Sequence, residues 1–360
     1  MLDVAIGARP NSVKAAALFR AFRARAPRGL ALSLVHTGQH SSAAMAGEFG
    51  RALGLPEPDV QLDTGGAKSH GAQTAAILAR YEAHLLARRP RGVIVFGDVN
   101  STLACALAAA KLAIPVVHVE AGLRCFDRDM PEELNRALVD RVSRLLLASE
   151  PSAVENLARE GFDPRDVRLV GSLTVDTLLH ELPAARALAV HERHGLAPAG
   201  YAFVTLHRPA NVDDPARLRA ITEALSAVAD RIPVVFPAHP RTARRLAEAR
   251  LLERLRSRAI VLEPLPYRES VGLMSAARVV VTDSGGVQEE TTALGVPCLT
   301  LRPSTERPIT LERGTNTLVP DPAALPGLVE RAAARPTRTI ACWDGRAAER
   351  AVDALLERLS

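Results

Sequence analysis

Residues 277–290 read "ARVVVTDSGGVQEE": an apolar β-branched run, a polar Thr-Asp-Ser stop, two glycines, then residues that favour a helix. Consecutive valines with no polar alternation indicate a strand buried on both faces, and such strands belong to parallel sheets covered by helices on either side. The Ser-Gly-Gly that follows is a strand-to-helix turn. Gly285 and Gly286 let another group approach the backbone closely, and the N–H groups of a helix start can hold a phosphate or pyrophosphate. Glu289 and Glu290 would repel that anion, so the turn and the acids must read different parts of one ligand. Glu290 lies four residues beyond Gly286 and can turn toward ribose hydroxyls, as the acidic residue of dinucleotide folds does. After the next apolar run comes "PSTERPIT" (303–310), in which Arg307 can add positive charge to the same phosphates.

The same grammar repeats along the chain. Strands are expected at "LDVAIG", "LALSLVH", "GVIVFGD", "PVVHVE" and "RLLLAS", then at "YAFVTLH", "PVVFPAH", "AIVLE", "RVVVTD" and "PCLTL". Helical patterns such as "NSVKAAALFRAFRARA", "STLACALAAAKLA" and "DPARLRAITEALSAVADR" lie between them. The alternation predicts an α/β chain of two doubly wound parallel-sheet domains, as its 360 residues also favour. The expected boundaries are 1–170 for the first domain and 171–344 for the second. The hinge is placed near "VGSLTVD" (170–176), and a last amphipathic helix, 345–360, closes the chain.

In open α/β sheets ligands sit at the carboxyl ends of strands, so polar clusters there are the candidates. "IGARPNSVK" follows the first strand, and Arg9 and Lys14 can face an anion or simply begin a basic surface helix. In "FGDVNST", Asp98 stands at a strand end, where it can act on a ligand or cap the next helix. "HVEAGLRCFDRDMPEELNR" holds His118, Glu120, Glu132 and Arg136; the last two are four apart and can pair on one helix face. Clustered carboxylates beside an arginine can also tune a general acid and base apart. His207 in "TLHRPANVDD" and His239 in "FPAHPRT" each follow a strand and are candidates on position.

Composition narrows the classes. Hydrophobic residues make up 48% and charged residues 24%, as in soluble globular proteins. Lys14, Lys68 and Lys111 are the lysines and arginine supplies the rest of the 45 basic residues, for a net charge of +5. With aromatics at 3%, base stacking has little to work with, and the basic run "RTARRLAEARLLERLRSR" interleaves Glu and Leu as a solvated helix does, so no nucleic-acid partner is expected. The start "MLDVAIGARP" has neither the basic nor the apolar region of a secretion signal. The most apolar stretch, "STLACALAAAKLAIPVVHV", is broken by Lys111 and Pro115, so no membrane span is expected. Cys105, Cys125, Cys298 and Cys342 are scattered, as reduced thiols of a cytoplasmic protein would be, with no metal site.

"GARPNSVK", "HTGQH", "GDVNSTLA", "HVEAGLR", "MPEELNR", "VTLHRP", "TDSGGVQEE", "LGVPCLTLR" and "TERP" occur in that order. Together they make the chain resemble the non-hydrolysing UDP-N-acetylglucosamine 2-epimerase family nearly end to end. The resemblance implies a GT-B-like fold with a UDP-binding second domain, helix 345–360 packing back on the first, a UDP-sugar substrate, a homodimer and no organic cofactor. It implies that Asp98, Glu120, Glu132 and His207 match catalytic positions. By the same likeness Arg9, Lys14, Arg136 and Arg307 match supporting or phosphate-facing positions, and Ser284, Gly285, Gly286 and Glu290 the UDP site. Gln39, in "HTGQH", is a further candidate. The implied reaction interconverts UDP-N-acetylglucosamine and UDP-N-acetylmannosamine by anti elimination of UDP to 2-acetamidoglucal and re-addition. Its rivals are hydrolysis of the intermediate, a modified UDP-sugar substrate, a glycosyltransferase of the same fold, and a silent UDP-sugar sensor.

The chain departs from the family pattern in three places. Asn11 stands where many relatives have Glu, and "QHSSAAM" replaces a segment that helps build an allosteric site, so weak or absent activation by a second substrate molecule is expected. Ser270 stands where relatives often carry an aromatic near the uracil.

Overall fold

The computed structural model describes residues 1–25, 29–39, 43–66, 69–332 and 339–359. The chain divides into two compact units, Met1–Thr177 with Ile340–Ser360, and Leu178–Thr339. The division falls inside a helix, Leu173–Ala187, just beyond the stretch 170–176 where the hinge is expected. The expected boundary, 170/171, lies a few residues earlier. Helical hydrogen bonding runs on through that stretch, and only the packing partners change.

The first unit carries β1 (Leu2–Ile6), β2 (Leu32–His36), β3 (Val60–Gln61), β4 (Gly92–Phe96), β5 (Val116–Ala121), β6 (Leu145–Ala148) and β7 (Val167–Leu169). They form one sheet in the order β3-β2-β1-β4-β5-β6-β7, with parallel neighbours. The order reverses between β1 and β4, which is the switch point where such sheets bind ligands. Helix Asn100–Lys111, the stretch that came nearest to a membrane pattern, is a core helix. Its Ala104, Cys105, Ala106, Ala108 and Ala109 are buried, and it packs on helices His70–Arg88 and Pro131–Val142. Small side chains let neighbouring helices approach it, and burial accounts for its apolar surface all round. Among the described residues no helix is long and apolar enough to cross a membrane.

The chain returns to this unit at its end. Helix Ala347–Leu359 packs on helix Arg9–Arg25, and Asp176 caps it by accepting from the N–H groups of Ala347 (3.1 Å) and Ala348 (2.7 Å). The Arg350 guanidinium donates to the Val170 carbonyl at 2.7 Å. Gly171 has φ +97°, and a Cβ there would lie 1.9 Å from the Cys342 carbonyl oxygen, so the returning chain needs a glycine beneath it.

The second unit carries β8 (Ala202–Thr205), β9 (Val234–Pro237), β10 (Ile260–Leu262), β11 (Val279–Thr282), β12 (Cys298–Thr300) and β13 (Asn316–Leu318), in the order β10-β9-β8-β11-β12-β13. Again the neighbours are parallel, and the order reverses between β8 and β11. Val279 and Val281 enter one hydrophobic core and Val280 the other, which is why the run in β11 has no polar alternation. β3, β7 and β13 had no expected counterpart. Each lies at a sheet edge and is two or three residues long, too short to show a period.

Candidate active site

In the first unit the polar residues gather beyond β1, β4 and β5. Asn11 accepts from the N–H groups of Gly7 (3.2 Å) and Ala8 (3.1 Å), while its amide nitrogen donates to the Phe96 carbonyl at 3.1 Å. It thus ties the turn after β1 to the end of β4. Lys14 is buried one turn further along the same helix and pairs with the carboxylate of Glu120, also buried. Glu120 sits where β5 slips register between Val119 and Ala121, and its φ of +69° is one a non-glycine residue rarely adopts. Gly97, with φ +62°, makes room beside this pair: a Cβ there would lie 3.2 Å from Glu120 Oε2 and 3.3 Å from Lys14 Nζ. Arg9 is exposed, and its guanidinium lies over the Phe49 ring, 5.2 Å from the centroid.

Asp98 does not cap the helix that follows it. Val99 is the N-cap and gives no side-chain bond; the N–H of Ser101 is met instead by Gln39 Oε1 at 2.7 Å. Gln39 therefore supports the helix that opens after Asp98, and the Asp98 carboxylate takes a hydrogen bond from Arg136. Arg136 is buried between Asp98 and Glu133. The expected pairing of Arg136 with Glu132 is corrected: the partner is Glu133, three residues earlier, and Glu132 is half-buried beside it. Glu133, Arg136 and Asp140 share the inward face of helix Pro131–Val142, which sets the phase of the pairing. Glu133 also accepts from the N–H groups of Cys125 and Phe126, fixing the loop that leaves β5.

Behind these side chains lies a network that the sequence did not reveal. His118 is fully buried, with Nδ1 2.6 Å from Asp140 Oδ1 and Nε2 2.8 Å from the Gly97 carbonyl. Asp140 also accepts from Gly122 N–H at 3.1 Å and pairs with Arg124. Burial pushes the Asp140 carboxyl up, but His118 and Arg124 together hold it below its ordinary value. The result is a charged brace that positions Gly97 and Gly122 on either side of Glu120. The available signals were His118, already singled out at the end of β5, and Asp140, which lies on the same helix face as Arg136.

In the second unit the corresponding ends are those of β8 and β11, joined by the Thr205 and Thr282 hydroxyls at 2.7 Å. His207 follows β8, with Nδ1 3.2 Å from Asp283 Oδ1. Asp283 is fully buried; desolvation raises its carboxyl, yet the bonds from His207, Asn211 and Arg208 outweigh it and hold the group low. The His239 ring lies 6.2 Å from that of His207, and His239 Nδ1 caps helix Pro240–Glu248 by accepting from Arg241 N–H.

Ser284 is the N-cap of helix Gly285–Leu294, and its hydroxyl makes no capping bond. The first N–H groups of that helix have no acceptor within it, as at any helix start. A Cβ on Gly286 would meet nothing within 4 Å, whereas one on Gly285 would lie 2.5 Å from Glu306 Oε1 and 2.6 Å from Arg307 Nη1. Only Gly286 therefore leaves open space for another molecule; Gly285 makes room for the protein's own ion pairs. Arg307 is buried between Glu289 (2.9 Å) and Glu306 (2.7 Å), and Glu306 also pairs with Arg302 (2.8 Å). Glu289 is thus neutralised by Arg307, and Glu290 accepts from the Tyr267 hydroxyl at 2.7 Å. Burial raises Glu290 to about 7 against that hydrogen bond, with Glu289 adding to the rise. Neither acid presents a bare charge to the turn. Ser41 and Ser42, on which the expectation of weak or absent activation rests, lie outside the described residues.

Two parallel sheets, each with ionisable side chains and glycines at its switch point, define an α/β chain of the GT-B-like class. Residues 23–356 match the model of the family described as UDP-N-acetylglucosamine 2-epimerase. The chain is 41% identical over 327 residues to the UDP-N-acetylglucosamine 2-epimerase of Methanocaldococcus jannaschii, covering 89% of this chain and 88% of that one. It is 42% identical over 320 residues to the UDP-2,3-diacetamido-2,3-dideoxy-D-glucuronate 2-epimerase of Pseudomonas aeruginosa, covering 87% and 86%. The crystal structure of the M. jannaschii enzyme in complex with UDP-GlcNAc and UDP superposes with a TM-score of 0.91 at 39% identity, covering 99% of each chain. The chain belongs to the UDP-N-acetylglucosamine 2-epimerase family and is a UDP-sugar 2-epimerase.

Proposed function

We propose that the chain interconverts UDP-N-acetylglucosamine and UDP-N-acetylmannosamine without releasing free sugar. A base removes the C2 proton while the C1–O bond breaks and its electron pair leaves with UDP, giving 2-acetamidoglucal. A proton then returns to the opposite face of C2 as UDP re-adds at C1. Inversion requires proton exchange on both faces, hence more than one acid/base group. Asp98 and Glu120 carry that exchange and Glu132 assists; His207 supports the departure of UDP. Arg9, Lys14, Arg136 and Arg307 balance charge, and Ser284, Gly285, Gly286 and Glu290 hold the nucleotide at the helix start.

The observation that carries this reading is Glu120: a buried carboxylate beside Lys14, in a backbone conformation unfavourable for its residue type. Backbone strain of this kind collects at functional sites. Asp98, held by Arg136 at the neighbouring strand end, supplies the second carboxylate. D98N and E120Q should each lower kcat by about 100-fold or more, and near-normal turnover in both would remove them from the proton chemistry.

Proton NMR with UDP-N-acetylglucosamine in heavy water tests the reaction. Deuterium at C2 with growing UDP-N-acetylmannosamine is expected. Free N-acetylmannosamine with UDP would mean hydrolysis. No exchange would turn attention to the second reading, a 2,3-diacetamido uronic UDP-sugar, which the likeness to the P. aeruginosa enzyme favours. The homodimer belongs to this proposal too: Phe126, Leu134 and Leu138 are exposed apolar residues that a second copy would cover, and sedimentation would measure it.

A further inference from the structure

We propose that Asp283 is the positioning residue of His207: it holds the hydrogen on Nδ1, so that Nε2 is the nitrogen that, once protonated, gives its proton to the diphosphate oxygen as the C1–O bond breaks and takes it back as that bond re-forms. The inference rests on the reading of His207 given above and goes a step beyond it.

Asp283 is the last residue before the Ser284 turn and is 0% exposed. Its two oxygens collect donors from one neighbouring loop. Oδ1 faces the His207 N–H at 3.1 Å and His207 Nδ1 at 3.2 Å. Oδ2 accepts from the Arg208 N–H at 3.0 Å and from the Asn211 amide at 3.1 Å. The Asn211 amide orientation is set by chemistry, because its oxygen accepts from Arg217 Nε, which can only donate. An ionised carboxylate only accepts, so a contact of 3.2 Å favours the hydrogen on Nδ1 and leaves the second nitrogen to exchange protons. The His207 side chain is 46% exposed, so a ligand can reach the ring.

The arrangement also couples the two loops. The Arg208 guanidinium donates back to the Asp283 carbonyl at 3.1 Å, so the His207 loop and the turn that opens helix Gly285–Leu294 are tied in both directions. A proton donor and the helix start proposed to hold the diphosphate are thereby held in one register. A carboxylate behind an imidazole, orienting it and stabilising its protonated form, is a recurring catalytic arrangement.

D283N separates positioning from mere anchoring of the loop. The amide has one acceptor oxygen. Turned toward Arg208 and Asn211 it satisfies two donors, and its NH2 then faces His207 Nδ1, which must give up its hydrogen. The experiment is long-range 1H–15N correlation on the full chain with 15N-labelled histidine, His207 being assigned by the signals lost in H207Q. The Nδ1–H tautomer is expected in the unmodified chain and the Nε2–H tautomer in D283N. An Nε2–H tautomer in the unmodified chain overturns the proposal, even if D283N fails to fold. In turnover, D283N should lose about 100-fold in kcat with UDP affinity changed less than about threefold. Added to H207Q, it should cost less than about threefold more. An equal loss in both backgrounds would make Asp283 a loop anchor and overturn the proposal. Full turnover in H207Q would instead overturn the role given to His207, and with it any proton for Asp283 to place.

Discussion

Glu132 and Glu133 are adjacent in sequence and have different surroundings. Glu133 holds Arg136 and two loop N–H groups in the interior, while Glu132 is half-buried. E133Q should therefore lower stability by about 3 kcal/mol, because it leaves a buried guanidinium short of one partner. E132Q should leave stability within about 0.5 kcal/mol and lower kcat, if Glu132 serves the reaction as proposed. Urea unfolding beside steady-state kinetics distinguishes the two. Glu290 makes a prediction about pH. Its folded pKa, about 7, lies above the ordinary 4.5, so between those values the unfolded chain releases a proton that the folded chain keeps. Stability falls as pH rises through that window and is level above it. E290Q lacks this loss. Its unfolding free energy should gain on the parent between about pH 5 and pH 8, by an amount on the order of 3 kcal/mol at most, seen as a growing difference in melting temperature. A constant difference across that range would show that Glu290 is ionised throughout.

The helix that begins at Gly285 shows how two adjacent glycines serve different ends. A methyl on Gly285 would press on the Glu306 and Arg307 head groups, whose ion pairs are buried, whereas a methyl on Gly286 enters open space. G285A should destabilise by about 1–3 kcal/mol through forced repacking. G286A should be neutral, or stabilising by up to about 1 kcal/mol because alanine is the better helix former. It should nevertheless weaken UDP binding, since the methyl stands where the diphosphate approaches in the proposed site. Urea unfolding and calorimetric titration with UDP would check both. Unchanged UDP affinity in G286A would move the diphosphate away from this turn.

The first unit is built from both ends of the chain. Ala347, Ala351, Val352 and Leu355 are fully buried on the last helix, which packs on helix Arg9–Arg25, and Asp176 caps it. Removing residues 340–360 should cost the first unit several kcal/mol, at about 1.5–3 kcal/mol for each large apolar side chain lost. Limited proteolysis should then cut helix Arg9–Arg25 early while 178–332 stays protected. Equal resistance of both units would mean that the first holds its fold without the returning helix.

Much of this architecture is legible in the amino-acid sequence alone. Strands of parallel sheets are buried on both faces, so they read as unbroken apolar runs. Ligands of such sheets sit at the carboxyl ends of strands, so Lys14, Asp98, Glu120, His207 and the Ser284 turn can be picked as candidates from position alone. The apolar pattern does not carry pairing. Arg136 turned to Glu133 rather than Glu132 because helix phase, set by what lies beneath Pro131–Val142, chose the partner. Asp140 reached His118, and Asp283 reached His207, because sheet order brings together strands distant in sequence. The two units part within helix Leu173–Ala187, because packing changes there while helical bonding continues. Local propensity and burial thus determined the elements and the places where chemistry could stand. The partner of each charge was decided only by the tertiary structure, because ion pairs depend on which side chains meet in space rather than on their spacing along the chain.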